Sequence, residues 1–291
     1  MTKIAITSDL HLGITKQHEI EPLVAAIAAE RPDLTVIAGD IGEGEANIRD
    51  CLALFQGMPG EVAVIGGNHD VWALSAPWKL GGPSSQEMWE RALPGAVRDA
   101  GMRWLEGENW RAGGLAVAAS IAWYDYSGAA EDIPPQTEAY WLEFKRTQFP
   151  DGRYLNADVK YINWPWSDIA FATKCADALV ERMAGLEADA SVESVLLVTH
   201  VPVFREQLVI KPDIPKWGYG NAFFGNLTLG ERVRGMSKLR AVVSGHTHIG
   251  VKATTAHGAG PLPVWVTISD FHKPSYVVYD SSTGTLRDGA M

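Results

Sequence analysis

Hydrophobic positions along the chain fall into short runs that end abruptly in polar residues. In "MTKIAITSDLHLG", Ile4, Ile6 and the β-branched Thr7 predict a strand buried in a sheet, with Asp9 and His11 just past its end. "EIEPLVAAIAAERP" carries apolar residues at helical spacing and predicts an amphipathic helix closing near Pro32. "LTVIAGD" then predicts a second buried strand ending at Gly39 and Asp40, "ANIRDCLALFQGM" a second helix, and "EVAVIGGNHD" a third strand running into a polar turn. This alternation with short links predicts a layered α/β fold with parallel pairing. Ligands in such sheets collect at the carboxyl ends of strands, and each of these three strands ends in Asp, His or Asn.

Between about residues 71 and 170 the rhythm breaks. Gly and Pro punctuate "LGGPSSQ", "EDIPPQ" and "NWPW", only "LAVAASIAW" resembles a core strand, and nine of the eleven tryptophans fall here. A helix over "SDIAFATKCADALVERMAGLEAD" leads back to strand-like runs in "SVLLVTH", "LRAVVSGHTH", "LPVWVTISD" and "SYVVYD". With no internal repeat and no low-complexity tail, the simplest organisation is a single domain over 1–291 with a Trp-rich insertion at about 71–170. The aromatics of "AYWLEF" and "YINWPW" read either as packing of that insertion onto the core or as the wall of a pocket that stacks a nucleobase or other flat group.

Composition narrows the classes. With 291 residues, 46% of them hydrophobic, the chain can bury a large core. A formal net charge of -10 disfavours a protein that wraps nucleic acid through a broad basic face. Local positive charge or metal ions can still draw in a phosphate; Arg205, Lys211 and Lys216 follow His200 closely, although surface solubility explains them equally well. Cys51 and Cys175 lie far apart without zinc-finger spacing and read as reduced, buried thiols. The N-terminus enters its first strand at once, without the segments of a signal peptide, and no apolar run approaches the roughly 18 residues of a membrane span. A soluble cytoplasmic protein is the expectation.

Five strand-end signals occur in order: Asp9-x-His11, Gly39-Asp40, Gly67-Asn68-His69-Asp70, His200, and Gly245-His246-Thr247-His248. A lone histidine at a strand end is usually structural, but five such motifs, each after an apolar run, leave little room for chance. Carboxylate oxygens, imidazole nitrogens and an amide oxygen suit borderline divalent ions such as Mn, Fe, Zn or Ni. Four ligands around one ion and four around another, with one carboxylate shared, would use Asp9, His11, Asp40, Asn68, His200, His246 and His248, leaving His69 unassigned. Gly39, Gly66, Gly67 and Gly245 stand beside these residues, where a backbone without Cβ can turn sharply. A later look-alike, Asp270-Phe271-His272, also follows a strand and reads as a surface loop, with Asp270 or His272 facing the site as the alternative; His18 and His257 receive no role.

The five motifs resemble those of the calcineurin-like metallophosphoesterase superfamily, whose pattern is DxH, GD, GN-H-D/E, H and GHxH in this order. The resemblance spans Asp9 to His248. It implies two facing mixed β-sheets flanked by helices, an αββα sandwich. It also implies that Asp9, His11 and His248 hold a first ion, that Asn68, His200 and His246 hold a second, and that Asp40 bridges them. His69 would be the non-ligand histidine near the leaving group, oriented by Asp70. Protein phosphatases of the family follow the GD pair with an acidic residue and Arg and carry GNHE, whereas this chain reads "GDIGEGE" and "GNHD"; both departures weaken a protein-phosphatase assignment.

Two ions about 3.5–4 Å apart clamp a phosphoryl group, stabilise its developing charge and lower the pKa of a bound water that becomes the nucleophile. His69 would then either protonate the leaving alkoxide or hydrogen-bond to the phosphate in the transition state. The expected activity is hydrolysis of a phosphate ester, with a small phosphodiester such as a nucleotide favoured because the acidic chain lacks a basic track for polymers. A phosphomonoesterase and a nuclease are the alternatives within this class, and a non-catalytic scaffold on the same fold is the alternative outside it. Substrate does not follow from fold.

Overall fold

The computed structural model describes residues 2–73, 82–211, 213–214, 217–258 and 260–290; Lys216 and the start of "LGGPSSQ" lie outside the described residues. Along the first half of the chain run β1 (Lys3–Thr7), β2 (Leu34–Ala38), β3 (Glu61–Ile65), β4 (Arg103–Trp104), β5 (Trp110–Ala112) and β6 (Leu115–Ser120). Along the second half run β7 (Ser194–Thr199), β8 (Leu239–Ser244), β9 (Val251–His257), β10 (Gly260–Val266), β11 (Tyr276–Asp280) and β12 (Thr285–Asp288). They form two six-stranded sheets, one in the order β12-β11-β1-β2-β3-β4 and the other β5-β6-β7-β8-β10-β9. Both sheets are mixed: β1 to β4 pair in parallel beside an antiparallel β11–β12 ribbon, and β6, β7, β8 and β10 pair in parallel between antiparallel β5 and β9.

Side chains on a strand alternate between faces, and here each face has its own partner. Ile4, Ile6, Leu34, Val36 and Ile65 share one buried core with Val117, Leu196, Val198 and Val243 of the other sheet. The alternate residues Ala5, Ile37 and Val64 face outward into a core filled by helices. Helix α1 (Gln17–Glu30) buries Ile20, Leu23 and Ile27, spaced three and four apart as one helical face requires. It ends where Arg31 turns left-handed (φ 50°) before Pro32. Helix α2 (Glu45–Leu54) buries Ile48, Cys51 and Leu52. The αββα layering implied by the motifs is therefore the architecture of the chain.

The segment 71–170 supplies β4, β5 and β6, the last fully buried between β5 and β7. It also holds α3 (Ser85–Glu87) and α4 (Leu93–Asp99), joined by a π-helical turn at Met88–Ala92, and then α5 (Glu138–Lys145) and α6 (Asp158–Tyr161). Its aromatics pack inward: Trp141 is buried, and Trp123 and Trp164 close on Phe171 of α7 (Asp168–Ala188) at ring distances of 5.4 and 4.2 Å. Helix α7 starts at Ser167, whose hydroxyl caps Ala170 N–H at 3.2 Å. No helix among the described residues is long and apolar enough to cross a membrane.

Candidate metal centre

The loops leaving β1, β2, β3, β7 and β8 meet at the seam between the sheets. Asp9 N–H donates to Gly39 O at 3.0 Å, His11 N–H to Asp40 O at 2.9 Å, and Gly245 N–H to His200 O at 2.9 Å. The turns are sharp. Asp9, His11, Asp40, His246 and His248 all have positive φ, between 46° and 71°, a conformation that costs a non-glycine residue energy and is concentrated at functional sites. At Gly39 (φ 85°) a Cβ would stand 2.7 Å from Gly66 O, Gly67 N and His200 Nδ1, so only glycine fits.

The seven residues expected as ligands come together in two groups. Donor atoms of Asp9, His11, Asp40 and His248 lie within 4.8 Å of one another, and so do those of Asp40, His200 and His246. Asp40 belongs to both, its Oδ2 lying 3.4 Å from His11 Nε2 and 3.5 Å from His200 Nε2. Asn68 joins the second group, with Oδ1 3.2 Å from His200 Nε2 and 3.0 Å from His246 Nδ1. Nitrogen and oxygen donors about 2.0–2.2 Å from a common ion would be separated by roughly 3–3.5 Å, so the spacing suits metal.

A second observation tests the fit. Each of the four imidazoles has one nitrogen held from behind by an oxygen and the other turned to the site. His200 Nδ1 meets Ala38 O at 2.8 Å and His246 Nε2 meets Phe223 O at 2.9 Å. A carbonyl only accepts, so those nitrogens carry a proton, and it is the opposite nitrogen of each ring that faces the site. His11 Nδ1 rests on Glu43 Oε1 at 3.1 Å, and His248 Nδ1 on Asp270 Oδ1 at 3.2 Å. This backing fixes tautomer and ring orientation in metal-binding histidines. Asp9 accepts His246 N–H at 2.9 Å and a hydrogen bond from the Ser8 hydroxyl.

Electrostatics divide the site. Burial opposes ionisation of Asp40, but His200, His69 and His11 together hold its carboxyl well below the usual range. Burial also works against a charged His200, yet Asp40 raises it to about 9. His246 goes the other way, lowered to about 4 by burial and by the charge of His200, so it stays a neutral donor.

His69 stands beside the two groups with its Nδ1 2.8 Å from Glu43 Oε1 and its ring stacked under Trp72 at 3.6 Å. Burial lowers its affinity for a proton, but Asp40 and the Glu43 hydrogen bond outweigh that and raise it to about 9. Asp70 does not fill the orienting role expected of it. Buried beneath the loop, it accepts the amides of Ile41 (2.8 Å), Gly42 (3.3 Å) and Gly67 (2.8 Å), tying the end of β2 to the end of β3. Burial and the charge of Asp40 push its carboxyl up to about 7.

Three further residues at the site carried no expected role or a different one. Glu43, in the "GDIGEGE" stretch, joins His11 to His69. Asp270 was expected on a surface loop but reaches His248, while His272 turns away to Glu19 at 2.9 Å. Phe271, 39% exposed, lies against His11 and His248 at ring distances of 4.8 and 4.6 Å. Arg205 is committed elsewhere, its guanidinium donating to the carbonyls of Ser127, Gly128 and Ala129. Lys211 lies over the Trp217 ring at 4.1 Å.

Fold and donor groups together define an α/β sandwich with clustered N and O donors at strand ends that could hold metal. A family model described as calcineurin-like phosphoesterase matches residues 2–250, and the chain belongs to that family. The family indicates a metal-dependent phosphoesterase. Among solved structures, the chain resembles a phosphopantetheinyl hydrolase from Mycobacterium tuberculosis with a TM-score of 0.62 and 20% identity, covering 90% of this chain and 88% of that one. It also resembles a dimetal phosphatase from Danio rerio with a TM-score of 0.54 and 14% identity, over 95% and 92% of the two chains. At these identities the likeness is one of fold. No curated protein matches the sequence.

Proposed function

We propose that this chain is a binuclear metal-dependent hydrolase of phosphate esters, acting on a small phosphodiester. Asp9, His11 and His248 hold one ion, Asn68, His200 and His246 the other, and Asp40 reaches both. The observation that carries the reading is the position of Asp40, whose one carboxylate stands 3.4 and 3.5 Å from a histidine of each group. Bound there, two divalent ions such as Mn, Fe, Zn or Ni would clamp the phosphoryl oxygens and make water a stronger nucleophile.

The chain's own groups supply the rest. His69, held at Nδ1 by Glu43, donates to the leaving oxygen. Trp72 keeps that ring flat against the loop. The net charge of -10 argues for a small substrate over a nucleic acid.

The test is the count of Mn²⁺ ions bound per chain together with the rates on bis(p-nitrophenyl) phosphate and p-nitrophenyl phosphate, each with a chelated control. Two ions and faster metal-dependent cleavage of the diester are expected. Preference for the monoester would replace the diesterase reading with a phosphatase. A chain that binds two ions and cleaves neither ester should next be given a phosphopantetheinyl ester, the chemistry named for one structural relative. A chain that binds no ion overturns the reading.

A further inference from the structure

Asp158, on α6 of the Trp-rich segment, is buried 90 positions along the chain from Asn68, and its carboxylate gathers three donors. Oδ1 accepts from Asn68 Nδ2 at 2.9 Å and from Trp72 Nε1 at 2.7 Å, and Oδ2 accepts from the Tyr124 hydroxyl at 2.7 Å. Each donor leads back to the centre. The far end of the Asn68 amide is the Oδ1 that faces His200 and His246. The Trp72 indole stacks on His69. The Tyr124 ring lies 6.4 Å from that of His246 and 22° from parallel to it.

The two ends of a primary amide have nearly the same shape and opposite chemistry: the oxygen can bind a cation and the NH₂ cannot. Nothing in the asparagine itself decides which end faces the ions. A carboxylate behind it does, because it only accepts and so takes the NH₂ end. We propose that Asp158 is the positioning residue of the second ion, locking the Asn68 amide with Oδ1 turned toward His200 and His246. This rests on the reading of Asn68, His200 and His246 as an ion position. It gives the Trp-rich segment a function: α6 carries the group that orients a ligand, and the surrounding aromatics keep that group dry.

The experiment is a Mn²⁺ titration of the full chain, reading free ion by electron paramagnetic resonance. The wild type should bind two ions. Asp158→Ala should bind the first with wild-type affinity and the second about 10–100-fold more weakly, the usual loss when a group behind a ligand is removed. Asp158→Asn can still accept from Asn68 with its oxygen while its NH₂ faces the Tyr124 oxygen, and should keep both ions. A role in folding alone would weaken both ions together or neither.

Should Asp158→Ala fail to fold, the reciprocal pair decides. In a Trp72→Phe background, which removes the indole donor that shares Oδ1, Asn68→Asp sets two carboxylates against each other and adding Asp158→Asn restores a donor and an acceptor, so the full combination should regain the second ion. The inference is overturned if folded Asp158→Ala binds both ions as the wild type does, if Asp158→Asn loses the second ion as severely as Asp158→Ala, or if adding Asp158→Asn to Asn68→Asp in the Trp72→Phe background brings no gain. A wild type that binds fewer than two ions overturns the binuclear reading itself, an outcome distinct from these three.

Discussion

Glu43 stands between two imidazoles, 3.1 Å from His11 Nδ1 and 2.8 Å from His69 Nδ1, with most of its side chain shielded from water. Burial raises its carboxyl, but the bonds to the two histidines more than compensate and lower it, so it is ionised and able to accept from both. Glu43→Gln keeps the shape and removes the charge that holds two ring N–H groups at once. With saturating metal, kcat should fall by about 10²-fold, the scale of one general acid–base contribution, while KM changes little. The first ion should bind about 10-fold more weakly because His11 loses its backing. An unchanged kcat would remove Glu43 from the catalytic apparatus. The residues in the two donor groups were legible because each follows an apolar run and completes a spaced motif. Glu43 was not, since its partners sit 32 and 26 positions away and only the fold of the loops brings them to it. The one available signal was an acidic side chain three residues past Asp40 in a glycine-rich turn. Asp270 follows a strand as the ligand motifs do, but a lone Asp-x-His look-alike carries no sign of which side chain turns inward; the carboxylate meets His248, and His272 turns to Glu19.

Legibility at the level of elements follows burial. The runs that predict strands correspond to β1, β2, β3, β6, β7, β8, β10 and β11, which are the inner strands of the two sheets. The four that left no readable pattern, β4, β5, β9 and β12, are the four sheet edges. Most inner strands are buried along most of their length and so read as apolar runs, whereas an edge strand is short or half-exposed and its pairing is enforced by its neighbour. Val251–His257 alternates partly and fully exposed positions along much of its length, and Thr285–Asp288 is mostly exposed. Helices in the Trp-rich segment are short for the same reason that they were hard to read: side-chain bonds hold them in place of long apolar stripes. Lys145 of α5 meets Asp168, the first residue of α7, at 3.0 Å, with both side chains nearly inaccessible. Trp123 and Tyr126 donate to the same carboxylate, at 2.9 and 2.5 Å. Lys145→Met should destabilise the chain by about 3–5 kcal/mol in denaturant melts, because it leaves a buried charge without its counterion. Lys145→Met combined with Asp168→Asn should recover part of that loss. If the single variant melts as the wild type does, the pair does not anchor α5.

At the scale of the molecule, the centre lies across the joint between the sheets. Asp9, His11, Asp40 and Asn68 follow strands of one sheet, and His200, His246 and His248 follow strands of the other. Ions held there would tie the two halves together and also neutralise buried carboxylates. At a hundredfold excess over its dissociation constant each ion contributes about 2.7 kcal/mol. Chelation should therefore lower the melting temperature by roughly 5 °C or more per ion, and added Mn²⁺ should restore it. A chelated chain that melts at the metal-loaded temperature would show that the groups hold no ion in solution. The layered fold was readable from the order of motifs and the strand–helix rhythm, because both follow from the parallel pairing that sets every donor at a strand's carboxyl end. The same split has a consequence for how the protein comes into being. A chain made from its N-terminus presents Asp9, His11, Asp40 and Asn68 long before His246, bonded to Asp9 across 237 positions, and His248. Neither donor group is complete before His246 and His248 have been made. Ions held by those groups would therefore meet a full set of donors only after the two sheets have closed on each other.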